Sequence, residues 1–306
     1  MTVFGVNQTV RSEARTWPAP SAVLELLKPI TWFPPMWAFT CGAIASGVAL
    51  RERLPLLALG LLITGPLVCA TSQAANDWYD RYVDAINEPK RPIPSGRIPG
   101  TWGFRIAVLW TALSLLAAIP LGTVGMLAVA VALAFAWAYS APPLRFKQNG
   151  WIGNLAVGVT YEGLAWITGT IIMLGGRLPS AGILLIATLY SLGAHGILTL
   201  NDFKSVEGDR QMGIRSLPAS LGVTRAAWVL CGVMILPQLI VIGLLIAWGT
   251  PMHAGAIGVL VAVQLGLMAR FLAAPSARAL FLSAVGVPFY VWGMMVAAFA
   301  LKGISA

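Results

Sequence analysis

Long apolar stretches alternate with short polar ones along most of this chain. About 20 apolar residues carry a helix across a hydrocarbon core. Nine stretches reach or approach that length: 30–50, 55–78, 102–121, 123–141, 152–174, 180–203, 225–248, 254–273 and 279–301. The third and fourth separate at Pro120-Leu121-Gly122, a break inside an otherwise continuous apolar run. The pattern predicts an all-α integral membrane protein of about nine transmembrane helices, with one transmembrane domain over 30–306 behind a cytoplasmic N-terminal segment at 1–29. That segment does not read as a signal peptide, because Arg11, Glu13, Arg15, Glu25 and Lys28 interrupt it and it has no apolar core.

Composition agrees and adds an orientation. Charged residues make up 10% and hydrophobic residues 58% of the chain, and mean hydropathy is +0.80. A soluble domain is about 25% charged, so 306 residues with so few charges suit lipid better than water. The net charge of +9 is accordingly read as a topology signal before a nucleic-acid one. With the N-terminus in the cytoplasm, all but four of the 20 Lys and Arg residues (Arg51, Arg53, Arg177 and Lys302) fall in cytoplasmic segments. Cys41, Cys69 and Cys231 lie in apolar stretches without metal-ligand spacing and read as buried or lipid-facing thiols.

The second span runs into Asn76-Asp77-Trp78-Tyr79-Asp80-Arg81-Tyr82-Val83-Asp84. Asp77, Asp80 and Asp84 at i, i+3 and i+7 lie along one helix face, where three carboxylates repel one another unless a cation such as Mg²⁺ neutralises them. The sixth span ends in Asn201-Asp202-Phe203-Lys204-Ser205-Val206-Glu207-Gly208-Asp209, matching the first motif at an offset of 125 residues except that Ser205 replaces the middle acid. The match suggests two four-helix halves plus one helix, with both motifs on the same side of the membrane. Asn76, Asp77, Asp80, Asp84, Asp202, Glu207 and Asp209 are thus the candidate Mg²⁺ ligands, and Lys90, Arg91, Arg145, Lys147, Lys204 and Arg210 the candidate diphosphate-binding bases. Metal between carboxylate and phosphate, at the mouth of an apolar bundle, suits ionisation of an allylic diphosphate.

Several segments carry a more specific resemblance. They are Lys28-Pro29-Ile30-Thr31-Trp32-Phe33-Pro34-Pro35-Met36-Trp37, the first acidic motif, Asp84-Ala85-Ile86-Asn87-Glu88-Pro89 with Arg91-Pro92-Ile93-Pro94-Ser95-Gly96, and the second acidic motif preceded by His195-Gly196-Ile197-Leu198-Thr199-Leu200. From about residue 25 onward the chain resembles the chlorophyll/bacteriochlorophyll synthase branch of the UbiA-type intramembrane prenyltransferases. The resemblance implies that Asp77, Asp80, Asp84, Asp202 and Asp209 are catalytic, with Asp202 or Glu207 serving where Ser205 departs from the superfamily's Asp-x-x-x-Asp. It implies transfer of a geranylgeranyl or phytyl group from its diphosphate to the propionate of bacteriochlorophyllide a, with chlorophyllide a as the alternative acceptor. It further implies a multi-pass protein of the bacterial inner (cytoplasmic or intracytoplasmic) membrane with a cytoplasmic active site, and raises proteins of pigment biosynthesis or photosystem assembly as partners; nucleic acid is not expected as one.

Other residues have two readings. His195, two turns before Asp202, is a pigment ligand or a helix-packing histidine, and Tyr79 (like Trp78) is a candidate pigment or isoprenoid contact. Glu162, the one acid deep in a predicted span, is a functional group or a hydrogen-bonded helix contact. Intramembrane acids and a four-helix repeat also suit an ion-coupled transporter, although these acids cluster at one face beside basic loops.

Overall fold

The computed structural model describes residues 17–305; Arg11, Glu13 and Arg15, with the rest of residues 1–16, lie outside the described residues. The described chain is helical: α1 Pro20–Leu27, α2 Phe33–Ala45, α3 Leu50–Asn87, α4 Trp102–Ala118, α5 Gly122–Ser140, α6 Gly150–Met173, α7 Ala181–Asp202, α8 Val206–Gln211, α9 Leu217–Leu221, α10 Val223–Ala247, α11 Pro251–Leu272 and α12 Pro275–Ile304. Counting α4 and α5 as one unit of 39 residues, seven of the described helices are long and apolar enough to cross a membrane.

The differences from the predicted spans have local causes. α4 and α5 are divided by a tight 3₁₀ turn at Ile119–Leu121, followed by Gly122 at φ +74°, so the expected break is real. The two limbs pack against each other, and Trp137 donates to Thr111 Oγ1 across the pair at 3.1 Å. α2 has only 13 residues, shorter than the predicted 30–50 because Pro29–Thr31 forms a separate 3₁₀ turn before it. α3 continues past residue 78 to Asn87 and stops two residues before Pro89, as expected where the ring of a proline disfavours helix before it.

The halves are not equivalent in detail. The first acidic motif lies on one unbroken helix, whereas the second is cut at Asp202 and resumes in the short α8. Ser205, the residue that breaks the sequence match, donates to the Asp202 carbonyl oxygen at 3.3 Å and closes that end.

Packing follows membrane rules, with small residues where backbones meet and polar side chains paired between helices. A methyl group added at Gly42 would strike the Trp166 carbonyl oxygen, and one at Gly169 the Phe39 carbonyl. Thr170 Oγ1 bonds the Gly42 carbonyl at 2.9 Å in the same contact. Gln238 of α10 and Gln264 of α11 exchange reciprocal amide bonds at 3.1 Å. α4 and α5 present Leu109, Leu116 and Leu127 outward. Three π-helical turns, Ile63–Cys69, Val159–Leu164 and Leu282–Gly286, widen α3, α6 and α12.

Gly42→Ala and Gly169→Ala are expected to destabilise the protein by about 1–3 kcal/mol through overpacking. Gly258→Ala on α11, where a methyl group meets no neighbour, should change stability by less than about 0.5 kcal/mol. Thermal unfolding of the detergent-purified variants checks both.

Candidate active site

The two acidic motifs meet at one end of the bundle. Asn76, Asp80 and Asp84 of α3 line a cavity of about 400 Å³ together with Asp202, Ser205 and Asp209. Arg145, Lys147, Gln148 and Asn149 line it from the α5–α6 connection. These are the hard oxygen donors that Mg²⁺ prefers, facing two cations that suit phosphate oxygens. Four carboxylates against Arg145 and Lys147 leave excess negative charge in the wall, which a divalent cation fits. Among the described residues the carboxylates do not converge into a closed cluster of three ligands; they are distributed around the wall.

The expected single carboxylate face divides in two. Asp77 and Asp84, two turns apart, share Arg91, whose Nη1 lies 3.5 Å from Asp77 Oδ1 and 2.8 Å from Asp84 Oδ2. Lys28 Nζ also reaches Asp77 Oδ1 at 2.6 Å. Asp80 is offset by about 60° around the helix and pairs instead with Lys147 at 2.6 Å and Arg145 at 3.7 Å. Burial lowers the Lys147 ammonium from the ordinary lysine value, although Asp80 pulls the other way. Lys28 (φ +47°) and Arg145 (φ +40°) are the two non-glycine residues of the described chain in the left-handed backbone region. That conformation costs on the order of 1–2 kcal/mol per residue, and here both residues aim a cation at a motif carboxylate.

The second motif is held by neutral donors. Asp202 Oδ2 accepts from Asn154 Nδ2 at 3.2 Å, and Asp209 Oδ2 accepts from Ser205 Oγ at 3.1 Å and Ser216 Oγ at 2.6 Å. The Gly150 and Arg215 amides donate to the Arg215 and Gln148 carbonyls, both at 2.9 Å, tying the loop after the second motif to the basic connection.

Not every residue singled out from sequence reaches the cavity. Asp77 sits behind it, buried among Lys28 and Arg91, with Oδ2 unpartnered. Lys90, Lys204, Glu207 and Arg210 are exposed and outside the lining; Glu207 accepts from Gln211 at 3.0 Å. These four follow the helix ends into water, because α3 stops at Asn87 and α8 turns its Glu207 side outward. Arg91 positions Asp77 and Asp84 rather than lining the wall. Tyr79 packs edge-on against Trp137 at 6.4 Å. His195 faces an apolar outer groove with Trp151, Ile152 and Leu192, away from the acids. Sequence reasoning missed Tyr139, Asn154 and Ser216 in the wall; an asparagine inside an apolar span was a usable signal for Asn154.

A second chamber of about 560 Å³ adjoins the first, sharing Asn76 and Tyr139, and extends into the bundle past Gln73, Tyr161, Glu162, Leu198 and Ser283. Narrow apolar clefts lined by Val68, Ala132, Phe135 and Leu164 continue from it at Tyr161.

Residues 31–294 match the UbiA prenyltransferase family. The chain is 52% identical to the bacteriochlorophyll synthase 33 kDa chain of Cereibacter sphaeroides, over 95% of this chain and 96% of that one. It is 40% identical to the chloroplastic chlorophyll synthase of Oryza sativa, over 90% of this chain and 76% of that protein. A UbiA homologue from Archaeoglobus fulgidus, solved with DMAPP and Mg²⁺, shares the fold with a TM-score of 0.64 at 20% identity, covering 92% of this chain and 99% of that one.

Replacing Lys28 with Met removes the nearest cation from a buried carboxylate. The expected cost is about 1–3 kcal/mol, read as a lower unfolding midpoint, and Asp77→Asn in the same chain should restore part of it.

Proposed function

The chain belongs to the UbiA prenyltransferase family, and from that premise we propose that it esterifies the propionate of bacteriochlorophyllide a with a geranylgeranyl or phytyl group taken from the diphosphate. It is a multi-pass membrane prenyltransferase. The carrier reading falls with family membership. One observation supports the site assignment above all: Asp80 and Asp84 from α3 and Asp202 and Asp209 from the α7–α8 region share one cavity with Arg145 and Lys147, and that cavity opens into a largely apolar chamber.

In this reading the diphosphate lies against Lys147 and Arg145, with its isoprenoid chain in the narrow apolar clefts that begin at Tyr139 and continue past Tyr161, leaving the chamber to the acceptor. Asp80, Asp84, Asp202 and Asp209, with Asn76 beside them, would hold Mg²⁺, which would supply positive charge against the departing diphosphate. The allylic C1–O bond breaks with its electron pair on the diphosphate oxygen, and a propionate oxygen forms the new C–O bond to C1. The acceptor arrives as an anion, so no strong general base is required. Arg91 and Lys28 hold α3 so that Asp84 stays turned to the cavity, and Asn154 and Ser216 do the same for Asp202 and Asp209. Apolar walls keep water from the cationic carbon. The reaction is assigned to the cytoplasmic side from the distribution of Lys and Arg. The 52% and 40% identities favour bacteriochlorophyllide over chlorophyllide as acceptor.

Purified protein given bacteriochlorophyllide a or chlorophyllide a, each with geranylgeranyl or phytyl diphosphate and Mg²⁺, should yield the bacteriochlorophyll ester, identified by product mass. Chelation of divalent cations should stop it. Absence of any ester with all four pairs would refute the proposal.

Asp84→Ala and Asp202→Ala are expected to lower kcat by about 100-fold or more at saturating Mg²⁺. Lys147→Ala should raise the KM for the prenyl diphosphate by about tenfold, while Lys204→Ala, outside the cavity, should raise it far less. Steady-state kinetics on protein with unchanged unfolding midpoints checks these assignments.

A further inference from the structure

Glu162 is left unexplained by the acid site and by the packing. It lies on the π-helical turn Val159–Leu164 of α6, is only 9% exposed, and lines the inner chamber. Some polar neighbours in that wall have protein partners, whereas Tyr139, Asn201 and Ser283 share its lack of a side-chain hydrogen bond among the described residues. Asn76 donates to Ser140 at 3.2 Å, and the Tyr161 hydroxyl meets Cys69 Sγ at 3.2 Å and Gln73 Nε2 at 3.5 Å. Glu162 has no side-chain hydrogen bond or ion pair with any described residue. A carboxyl group inside a bundle costs free energy unless something bonds to it. Of the cavities described above, Glu162 lines the chamber alone.

The chamber adds direction. It meets the acid cavity at Asn76 and Tyr139. An acceptor whose carboxylate reaches the acid cavity finds in the chamber the adjoining space for the rest of its body, beside Glu162. The π-helical turn shifts the local register by one residue and is a recurrent device for turning one side chain into a site. We infer that Glu162 is an acceptor-recognition residue, hydrogen-bonding a polar group on the edge of a flat macrocyclic carboxylic acid while that acid's propionate meets the prenyl diphosphate. The inference rests on the proposed function and assigns no role to Glu162 in binding the diphosphate.

The test compares wild type with Glu162→Gln and Glu162→Leu. Bacteriochlorophyllide a is varied at saturating geranylgeranyl diphosphate, and then the diphosphate at saturating acceptor. Glu162→Leu should raise the acceptor KM about tenfold, the effect of losing one buried hydrogen bond, and leave the diphosphate KM within about twofold. Glu162→Gln, which keeps the hydrogen-bonding capacity, should stay within about threefold of wild type for the acceptor. If Glu162→Leu fails to fold, Glu162→Met gives the same comparison. An unchanged acceptor KM, a parallel rise in both KM values, or a Gln variant as impaired as the Leu variant overturns the inference. If wild type makes ester and the Leu variant binds acceptor normally, only the role of Glu162 is lost. If wild type makes none, the proposed function falls and this inference with it.

Discussion

Charge compensation at the mouth of an apolar bundle governs this structure. Carboxylates close to hydrocarbon are expensive unless cations or donors reach them. The protein meets that requirement with groups from separate parts of the chain: Lys28 before α2, Arg91 after α3, and Arg145 and Lys147 between α5 and α6. Each ion pair ties a connection to α3, so the polar end is assembled by the same pairs that hold the acids in place. Buried ion pairs of this kind contribute little net stability. What they supply here is position, since Asp84 is fixed towards the cavity and Asp80 is held at the wall beside Arg145 and Lys147.

The two acid-bearing helix ends are compensated differently. On α3 the carboxylates face full positive charges. On α7 and α8 they accept from Asn154, Ser205 and Ser216, which orient them without neutralising them. The second group is therefore oriented by neutral donors, with no ion pair among the described residues. The basic connection is tied to the loop after this motif by backbone bonds between Gln148, Gly150 and Arg215. Acidic and basic side chains thus line one cavity together.

Below the mouth the chamber mixes apolar walls with polar groups such as Gln73, Glu162 and Ser283, and the clefts beyond it are mainly apolar. Widened turns in α3, α6 and α12 interrupt regular packing where the chamber lies, and Glu162 and Ser283 come from two of them. Interior space is made in this way without a break in the backbone hydrogen bonding that lipid demands.

The sequence alone determined the solvent, the helical class and the chemistry of the acidic ends. Apolar runs of bilayer length leave few alternatives, and the Asn-Asp motifs are local patterns whose spacing on a helix is fixed. The break at Pro120–Gly122 was legible for the same reason. Which charges share a site was decided by tertiary structure. Asp77 and Asp80 are three residues apart, yet one faces Lys28 and the other Lys147, because their partners arrive from other connections. Lys204 and Glu207 looked like site residues from their place within the motif, but α7 ends at Asp202 and the chain turns them outward. Asn154 and Ser216, distant in sequence, are brought to Asp202 and Asp209 by helix packing. Periodicity encodes which residues lie on a face, whereas the neighbour that face meets depends on contacts across the whole chain.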